Sequence, residues 1–520
     1  MDITKKMKKY TLSTISVSII LFFALPFGSF SQDGSLDNTF GVNGIVTTSF
    51  GPYTQARVLD LAIQADGKIV VIGLFTTVGL NSFEYRIIRY NANGSLDNSF
   101  GNAGIVNPSY GMSPGLSRNH LKIQADGKIL VQDSQNLARY NTNGSLDITF
   151  GSAGIITCNL KDFAIQADGK IVITSSESFS QTTYGAWSIK RYNTNGTLDT
   201  TFGIDGDAAI TPTPTTEYGY LTNLSIQTDG KIIVNGYQAT NQSFILSRFN
   251  TNGSLDNTFG VNGIIYYDGY IGYDRDLVLA IQADGKILSI VGVDELLPAQ
   301  KIARFNTNGI LNNTFGNFGV ITPQVESGGC GPVSDGADLC LQTDGKIVVV
   351  GHSNNNGQDD FTLNRFNTNG SLDITFGVAG IINTSIETAS YANAVAIQAD
   401  GKIVVAGRSI DGSGDVFQSV YTIVRYNNNS TGDISESNIS SQISIYPNPF
   451  SNATTLKTNN LFENATFIVY NTLGEQVSKI DNISGQTFTF YRENLEQGIY
   501  FYQLKENNII VSENRFVITD

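Results

Sequence analysis

Short apolar runs alternate with polar, glycine-containing segments through most of this chain. Between Gly44 and Gly104, Leu61-Ala62-Ile63 and Ile69-Val70-Val71-Ile72 flank Gln64-Ala65-Asp66-Gly67-Lys68. Apolar runs of this length, bounded by turn residues, predict β-strands. The glycine supplies the positive φ that a tight hairpin needs, and the aspartate beside it is placed to accept from turn N–H groups. Tyr85-Arg86-Ile87-Ile88-Arg89-Tyr90 reads as a third strand, Asn91 to Gly101 as a long polar turn, and Gly104-Ile105-Val106 as the start of a fourth. Four antiparallel strands per unit are the content of a propeller blade.

The unit is copied. The phrase Gln-Ala/Thr-Asp-Gly-Lys-Ile occurs seven times, with its aspartates at Asp66, Asp126, Asp168, Asp229, Asp284, Asp344 and Asp400, separated by 60, 42, 61, 55, 60 and 56 residues. A second phrase, Arg-Tyr/Phe-Asn-x-Asn-Gly-x-Leu-Asp/Asn-x-Ser/Thr-Phe-Gly, has six full versions starting at Arg89, Arg139, Arg191, Arg248, Arg304 and Arg365. A seventh begins at Arg425-Tyr426-Asn427 and stops, and its missing half stands at the other end of the array as Asp33 to Gly41. Such a permutation suits a ring whose last blade is completed by the first strand, which also protects the sheet edges. An open solenoid, the alternative for a repeat of this period, would tend to carry atypical polar caps. The expected fold is therefore all-β, a seven-bladed β-propeller over residues 32–430.

Antiparallel order sorts the loops. The Asp-Gly hairpins and the Asn-x-Asn-Gly turns fall on one regular face. The connections that differ between units fall on the other, among them Asn107 to His120, Tyr266 to Arg275, Gln324 to Ala337 and Ser353 to Asp360. Recognition is expected on that variable face. Tyr85, Trp187, Phe244, Phe361 and Tyr421 stand four residues before the arginine of the second phrase, so the single tryptophan belongs to a packing series.

Residues 1–31 read as a secretory signal. Lys5, Lys6, Lys8 and Lys9 precede the apolar run Ile15 to Phe27, and Ser29-Phe30-Ser31 suits cleavage before Gln32. No transmembrane segment is expected in the mature chain. The net charge of −14, with only 15% charged residues, argues against nucleic acid and anionic membrane as partners. Of the cysteines, Cys330 and Cys340 flank a glycine-rich loop and are candidates for a disulfide in an oxidising compartment. Cys158 lies on an expected strand and reads as a small buried residue.

Candidate chemistry is sparse. The Asn91-x-Asn93-Gly94-x-x-Asp97 turn has the middle ligands of a calcium loop, but Arg89 and Phe100 occupy the places that need carboxylates. No metal and no cofactor is expected. Seven equivalent aspartates read as structural turn residues, and no unique catalytic constellation stands out around His120 or His352. The most distinctive segment is Tyr266-Tyr267-Asp268-Gly269-Tyr270-Ile271-Gly272-Tyr273-Asp274. There Tyr266, Tyr270 and Tyr273 are candidates to stack on sugar rings or peptide side chains, unless the tyrosines simply continue a strand.

Residues 431–442 read as a linker, and 443–520 as a small β-sandwich of short alternating strands. The tail carries Tyr446-Pro447-Asn448-Pro449-Phe450, then Leu473-Gly474 and Gly498-Ile499-Tyr500. In this order those motifs resemble the C-terminal sorting domain of the type IX secretion system of Bacteroidetes. The resemblance implies a partner in the type IX machinery through residues 443–520. It also implies a destination outside the cell or on the outer cell surface. The array, over residues 33–427, is similar to the delta-60 repeat family, which implies a propeller-like fold and no particular activity. Asn312 departs from the second phrase, which has aspartate there in the other copies. The expected function is a secreted or surface-displayed binding or scaffold protein for a glycan or protein. The alternatives are an extracellular glycan-acting hydrolase with carboxylates from several blades, and an adhesive surface component.

Overall fold

The computed structural model describes residues 33–51, 54–77, 84–108, 120–133, 135–176, 187–210, 219–238, 243–267, 277–293, 300–325, 338–355, 357–411, 418–428, 444–471, 475–506 and 509–520. Among them every regular element is a strand. The chain divides into two compact units, Met1–Asn429 and Ser430–Asp520.

In the first unit the strands form seven four-stranded antiparallel sheets. Six follow chain order, as in Thr54–Ile63, Ile69–Thr77, Glu84–Tyr90 and Ile105–Val106. The seventh contains Ala389–Ile397, Ile403–Asp411 and Gln418–Tyr426, and is completed by Ile45–Thr48 from the start of the array, with Ile45 opposite Val424 and Thr48 opposite Tyr421. The first strands of neighbouring blades lie side by side, Thr54–Ile63 touching both Ala389–Ile397 and Leu121–Ile123, so they line the centre. Apolar side chains from facing blades fill the space between sheets. Val71, Ile88 and Tyr90 of the first blade, for example, pack with Val404, Tyr421 and Ile423 of the seventh.

Two polar devices hold this array on its regular face. In all seven hairpins the aspartate Oδ1 accepts from the N–H of the lysine two residues on, at 3.1–3.2 Å. The second device is a clasp. Arg89, Arg139, Arg191, Arg248, Arg365 and Arg425 donate through Nε to Asp97, Asp147, Asp199, Asp256, Asp373 and Asp37 at 2.7–2.8 Å. Each guanidinium lies 4.2–4.6 Å over a buried phenylalanine ring, in all seven blades. Its Nη1 reaches into the following blade, donating to the carbonyls of Thr142, Thr194 and Thr251, for example. A planar fork that can pair, stack and bridge at once explains arginine rather than lysine here. A buried ion pair adds little net stability, but it fixes how one blade meets the next. Gly94 completes the junction: its φ is +88°, and a Cβ there would stand 2.6 Å from Val46 Cγ2 and 3.0 Å from Gly41 N.

The tail unit has strands Ser444–Tyr446, Ala453–Tyr470, Gln476–Tyr491, Gly498–Glu506 and Ile509–Ile518. They are joined in one continuous sheet through Ala453–Tyr470 rather than in two separate sheets. Breaks in register between Lys457 and Phe467 let the long strand bend. The sheet covers a core of Phe450, Phe467, Phe490, Tyr502 and Phe516.

Candidate functional site

Seven equal repeats give equal environments, so function should be sought where equivalent positions differ. The position six residues before each hairpin aspartate is such a place. It is occupied in turn by Asp60, His120, Asp162, Asn223, Val278, Asp338 and Ala394. These residues belong to the first, central strands or lie at their start, so the column runs round the centre of the ring.

The aspartates tie neighbouring first strands, which share no ladder hydrogen bonds. Asp60 accepts from Leu61 N at 2.7 Å and from Leu121 N of the next blade at 2.9 Å. Asp162 accepts likewise from Phe163 and Leu224, and Asp338 from Leu339 and Val395. His120 falls between two such carboxylates. Its Nδ1 is 3.5 Å from Asp60 Oδ2 and its Nε2 is 3.9 Å from Asp162 Oδ1. Lys122 Nζ stands 4.0 Å from the same Asp162 oxygen and 5.5 Å from the centre of the Phe163 ring. The His120 side chain is 17% exposed, so the channel reaches it.

Burial works against a charged imidazole here. Asp162 and Asp60 outweigh both burial and the repulsion from Lys122, and the His120 pKa is raised. A raised folded-state pKa contributes stability that is complete below the unfolded value of about 6.5 and is lost as pH rises through the folded value. The wild-type melting temperature is therefore expected to fall across the neutral range, with a smaller fall in His120→Asn. Equal slopes for the two proteins by scanning calorimetry would contradict this.

A second irregular cluster lies between the sixth and seventh blades. Tyr391 Oη donates to Asp359 Oδ2 at 2.6 Å, the Arg408 guanidinium is 4.7 Å over the Tyr391 ring, and the His352 ring meets it edge-on at 4.8 Å. Among the described residues no group of three or more His, Cys, Asp or Glu side chains is arranged to hold a metal ion. No helix among them is long and apolar enough to cross a membrane.

Of the tyrosine segment, Tyr266 is 42% exposed on the outermost strand of the fourth blade, Ile264–Tyr267. Tyr267 points the other way and meets Phe305 edge-on at 6.0 Å, and burial raises its pKa. Tyr270 and Tyr273 lie outside the described residues. Tyr266 is on an outermost strand and His120 adjoins an innermost one, so the two are not parts of one site. Cys330 also lies outside the described residues, and Cys340 carries a free thiol. Burial pushes the Cys158 thiol up to about 12 and Cys340 well above its usual value, so neither is a thiolate at neutral pH.

In the tail, Tyr446 is 80% exposed. Pro447 O accepts from Thr454 Oγ1, and Asn448 Oδ1 accepts from Val517 N at 2.8 Å. Both bonds preceding Pro447 and Pro449 are cis. Gly498 begins the strand on which Tyr500 stacks against Phe516. Gly474 lies outside the described residues.

The Asp60–His120–Asp162 column was legible in principle. It appears when the repeats are aligned on their hairpin aspartates and read backwards by six residues. Attention to the repeated phrases alone passes over it, because it is the irregular position that carries the signal.

The Domain of unknown function (DUF5122) beta-propeller model matches residues 64–100, 124–150, 166–202, 227–259, 342–376 and 398–435. The unit between 260 and 341 is outside those segments. The Secretion system C-terminal sorting domain model matches residues 444–519. No curated relative matches the chain. Similar solved structures include the polysaccharide lyase Uly1, at 9% identity and a TM-score of 0.44, covering 74% of this chain and 92% of that one. A streptogramin B lyase is similar at 12% identity and a TM-score of 0.42, covering 74% and 97%. The WD40 domain of Neurospora crassa Pan2 is similar at 9% identity and a TM-score of 0.42, covering 76% and 96%. The array carries repeats of the DUF5122, delta-60 type β-propeller domain, and the chain ends in a type IX sorting domain that marks it for export to the cell surface or the extracellular space.

Proposed function

We propose that the propeller is an exported recognition module that binds an extracellular glycan or protein through its variable-loop face. One observation supports this reading above the rest. The regular face is committed to holding blades together, by the same turn in seven units and the same Arg–Asp pair in six. Side chains that differ from blade to blade stand elsewhere, at His120 beside the central strands and around Tyr391 and Arg408, near the ends of their strands away from the hairpin turn. Tyr266 offers a further contact on the rim, and Tyr270 and Tyr273 follow it in the sequence.

One observation favours hydrolysis as a second reading: two carboxylates from different blades flank a single imidazole. Against it, each of those carboxylates already accepts two backbone N–H groups. A glycan and matrix-protein array probed with the full chain tests both readings, with mass spectrometry of the retained glycans. Specific retention without cleavage, weakened at least about tenfold in Tyr266→Ala/Tyr270→Ala, is the expected result. Cleaved product that disappears in His120→Ala would replace the binding reading with the hydrolase. Neither retention nor cleavage would remove both.

A further inference from the structure

The sheet of the tail unit has one face on its core. In such a sheet the side chains that point away from the core are ordinarily polar, because they meet water. One half of the sheet keeps this pattern. Where the start of Ala453–Tyr470 pairs with the end of Gln476–Tyr491, the outward positions are Thr455, Lys457, Thr487 and Thr489, with Tyr446 and Tyr491 at the ends of the rows. The hydroxyls of Thr455 and Thr489 lie 3.3 Å apart.

The other half departs from it. There Phe467, Val469, Tyr500, Tyr502, Phe516 and Ile518 point into the core. A strand alternates its side chains, so their sequence neighbours Ile468, Tyr470, Ile499, Phe501 and Val517 point outward. Strand pairing brings these together: Tyr470 lies opposite Phe501, and Ile499 opposite Val517. Tyr470 Oη donates to Gln503 Oε1 at 3.3 Å, and Gln503 lies opposite Ile468, so the tyrosine is tied down on this face. Ile468 is covered by its neighbours, but Ile499 and Phe501 are 45% and 47% exposed. A continuous apolar strip on the water side of a small sheet marks an interaction surface.

The adjoining sheet edge is already occupied. Val517 N donates to Asn448 Oδ1, and Val517 O accepts from Phe450 N at 3.0 Å. A partner at this place must therefore cover the face rather than add a strand at Val517. Two cations border the strip, Arg515 opposite Phe501 and Lys505 opposite Thr466.

We propose that this face, centred on Ile499 and Phe501, is the surface by which the tail docks on a protein of the type IX export machinery. The sorting-domain model matches residues 444–519, and contact with that machinery is what such a tail implies. The complementary surface is an apolar strip with acidic groups beside it, which Arg515 and Lys505 would meet. The inference concerns the tail alone and is independent of what the propeller binds.

Export of the full chain from cells with a working type IX system tests it, read by immunoblot as the share of protein outside the outer membrane. Ile499→Thr/Phe501→Thr is expected to lower that share at least about tenfold, with the protein held in the periplasm. Both positions are half-exposed and threonine suits a strand, so the purified variant should melt like the wild type. Phe501→Lys alone provides a second test and should fail export in the same way. Ile499→Val/Phe501→Tyr should be exported normally, and so should Tyr491→Thr, which removes an exposed aromatic from the other half of the sheet. Wild-type export of both Ile499→Thr/Phe501→Thr and Phe501→Lys, or an equal loss in Tyr491→Thr, would overturn the proposal. Self-association of the wild type that disappears in Phe501→Lys would overturn it too, by assigning the face to a second copy of the chain. Export of a chain ending at residue 430 would instead remove the sorting role on which the docking rests.

Discussion

A chain lacking residues 33–48 is expected to self-associate beyond the wild type and to lose at least about 5 kcal/mol of stability. This segment supplies the fourth strand of the seventh blade and removes the edge of Gln418–Tyr426. It also supplies Phe40, fully buried beneath the Arg425 guanidinium, and Asp37, which pairs with Arg425. Asp33 reaches across to Arg365 of the sixth blade at 2.6 Å, and its carbonyl accepts from Gly377 N. Deletion therefore leaves two buried cations short of a carboxylate and an apolar face uncovered. The exposed strand edge is a template for pairing with a second chain. Light scattering should report species larger than the wild type, and a peptide of residues 33–48 added in trans should return the protein toward the wild-type size by strand addition. A truncated chain that keeps the wild-type size and melts like the wild type would show that the ring does not depend on this closure.

Asp256→Ala is expected to cost about 3–5 kcal/mol, the usual consequence of removing one partner from a buried pair. The Arg248 and Asp256 side chains are 9% and 5% exposed, and Asp256 also accepts from Lys231 Nζ and from Thr258 N and Oγ1. Asp284→Ala provides the control. That carboxylate is 54% exposed and belongs to a turn and a surface pair, with only a longer-range attraction to Arg304, so its loss should cost no more than about 1 kcal/mol. The contrast should appear in urea unfolding at neutral pH. Clasp carboxylates respond to acid in a definite direction. Burial opposes ionisation at Asp373, but bonds from Thr375 and Lys346 and the charge of Arg365 hold its pKa at about 2. The carboxyls of Asp147, Asp199 and Asp256 are also held far below the usual range by such bonds. Depressed folded-state values contribute stability above the unfolded value of about 3.9, and it is lost as pH falls toward the folded values. Acid unfolding should begin below pH ~4 in the wild type. Asp256→Ala, unfolding with one clasp fewer, should show a smaller loss over that window. If Asp256→Ala lies within 1 kcal/mol of Asp284→Ala, the clasp is not what binds the blades.

The same clasp illustrates the difference between repeated and irregular positions. Arg89 and Asp97 are eight residues apart in one phrase, so their pairing is local and repeats wherever the phrase repeats. The contact of Arg89 with Thr142 joins two blades, and no property of either residue in sequence announces it. Asn312 was visible as a departure from the phrase. That it leaves the buried Arg304 Nε without a hydrogen-bond partner follows only from knowing that the aspartates elsewhere accept from that atom.

By itself the sequence determined the number of units, the strand-and-turn content of each and the closure of the last by the first. These follow from local periodicity and from two half-phrases that complement each other, and neither requires knowledge of distance in space. The sorting tail was legible for a similar reason, as short motifs in fixed order. The tertiary structure alone decided which chemistry the chain brings together. Asp60, His120 and Asp162 are separated by 60 and 42 residues and meet because adjacent first strands converge on one channel. Tyr266 and Tyr267 are neighbours in sequence yet face water and core, because a strand alternates its side chains and only packing decides which of the two is covered.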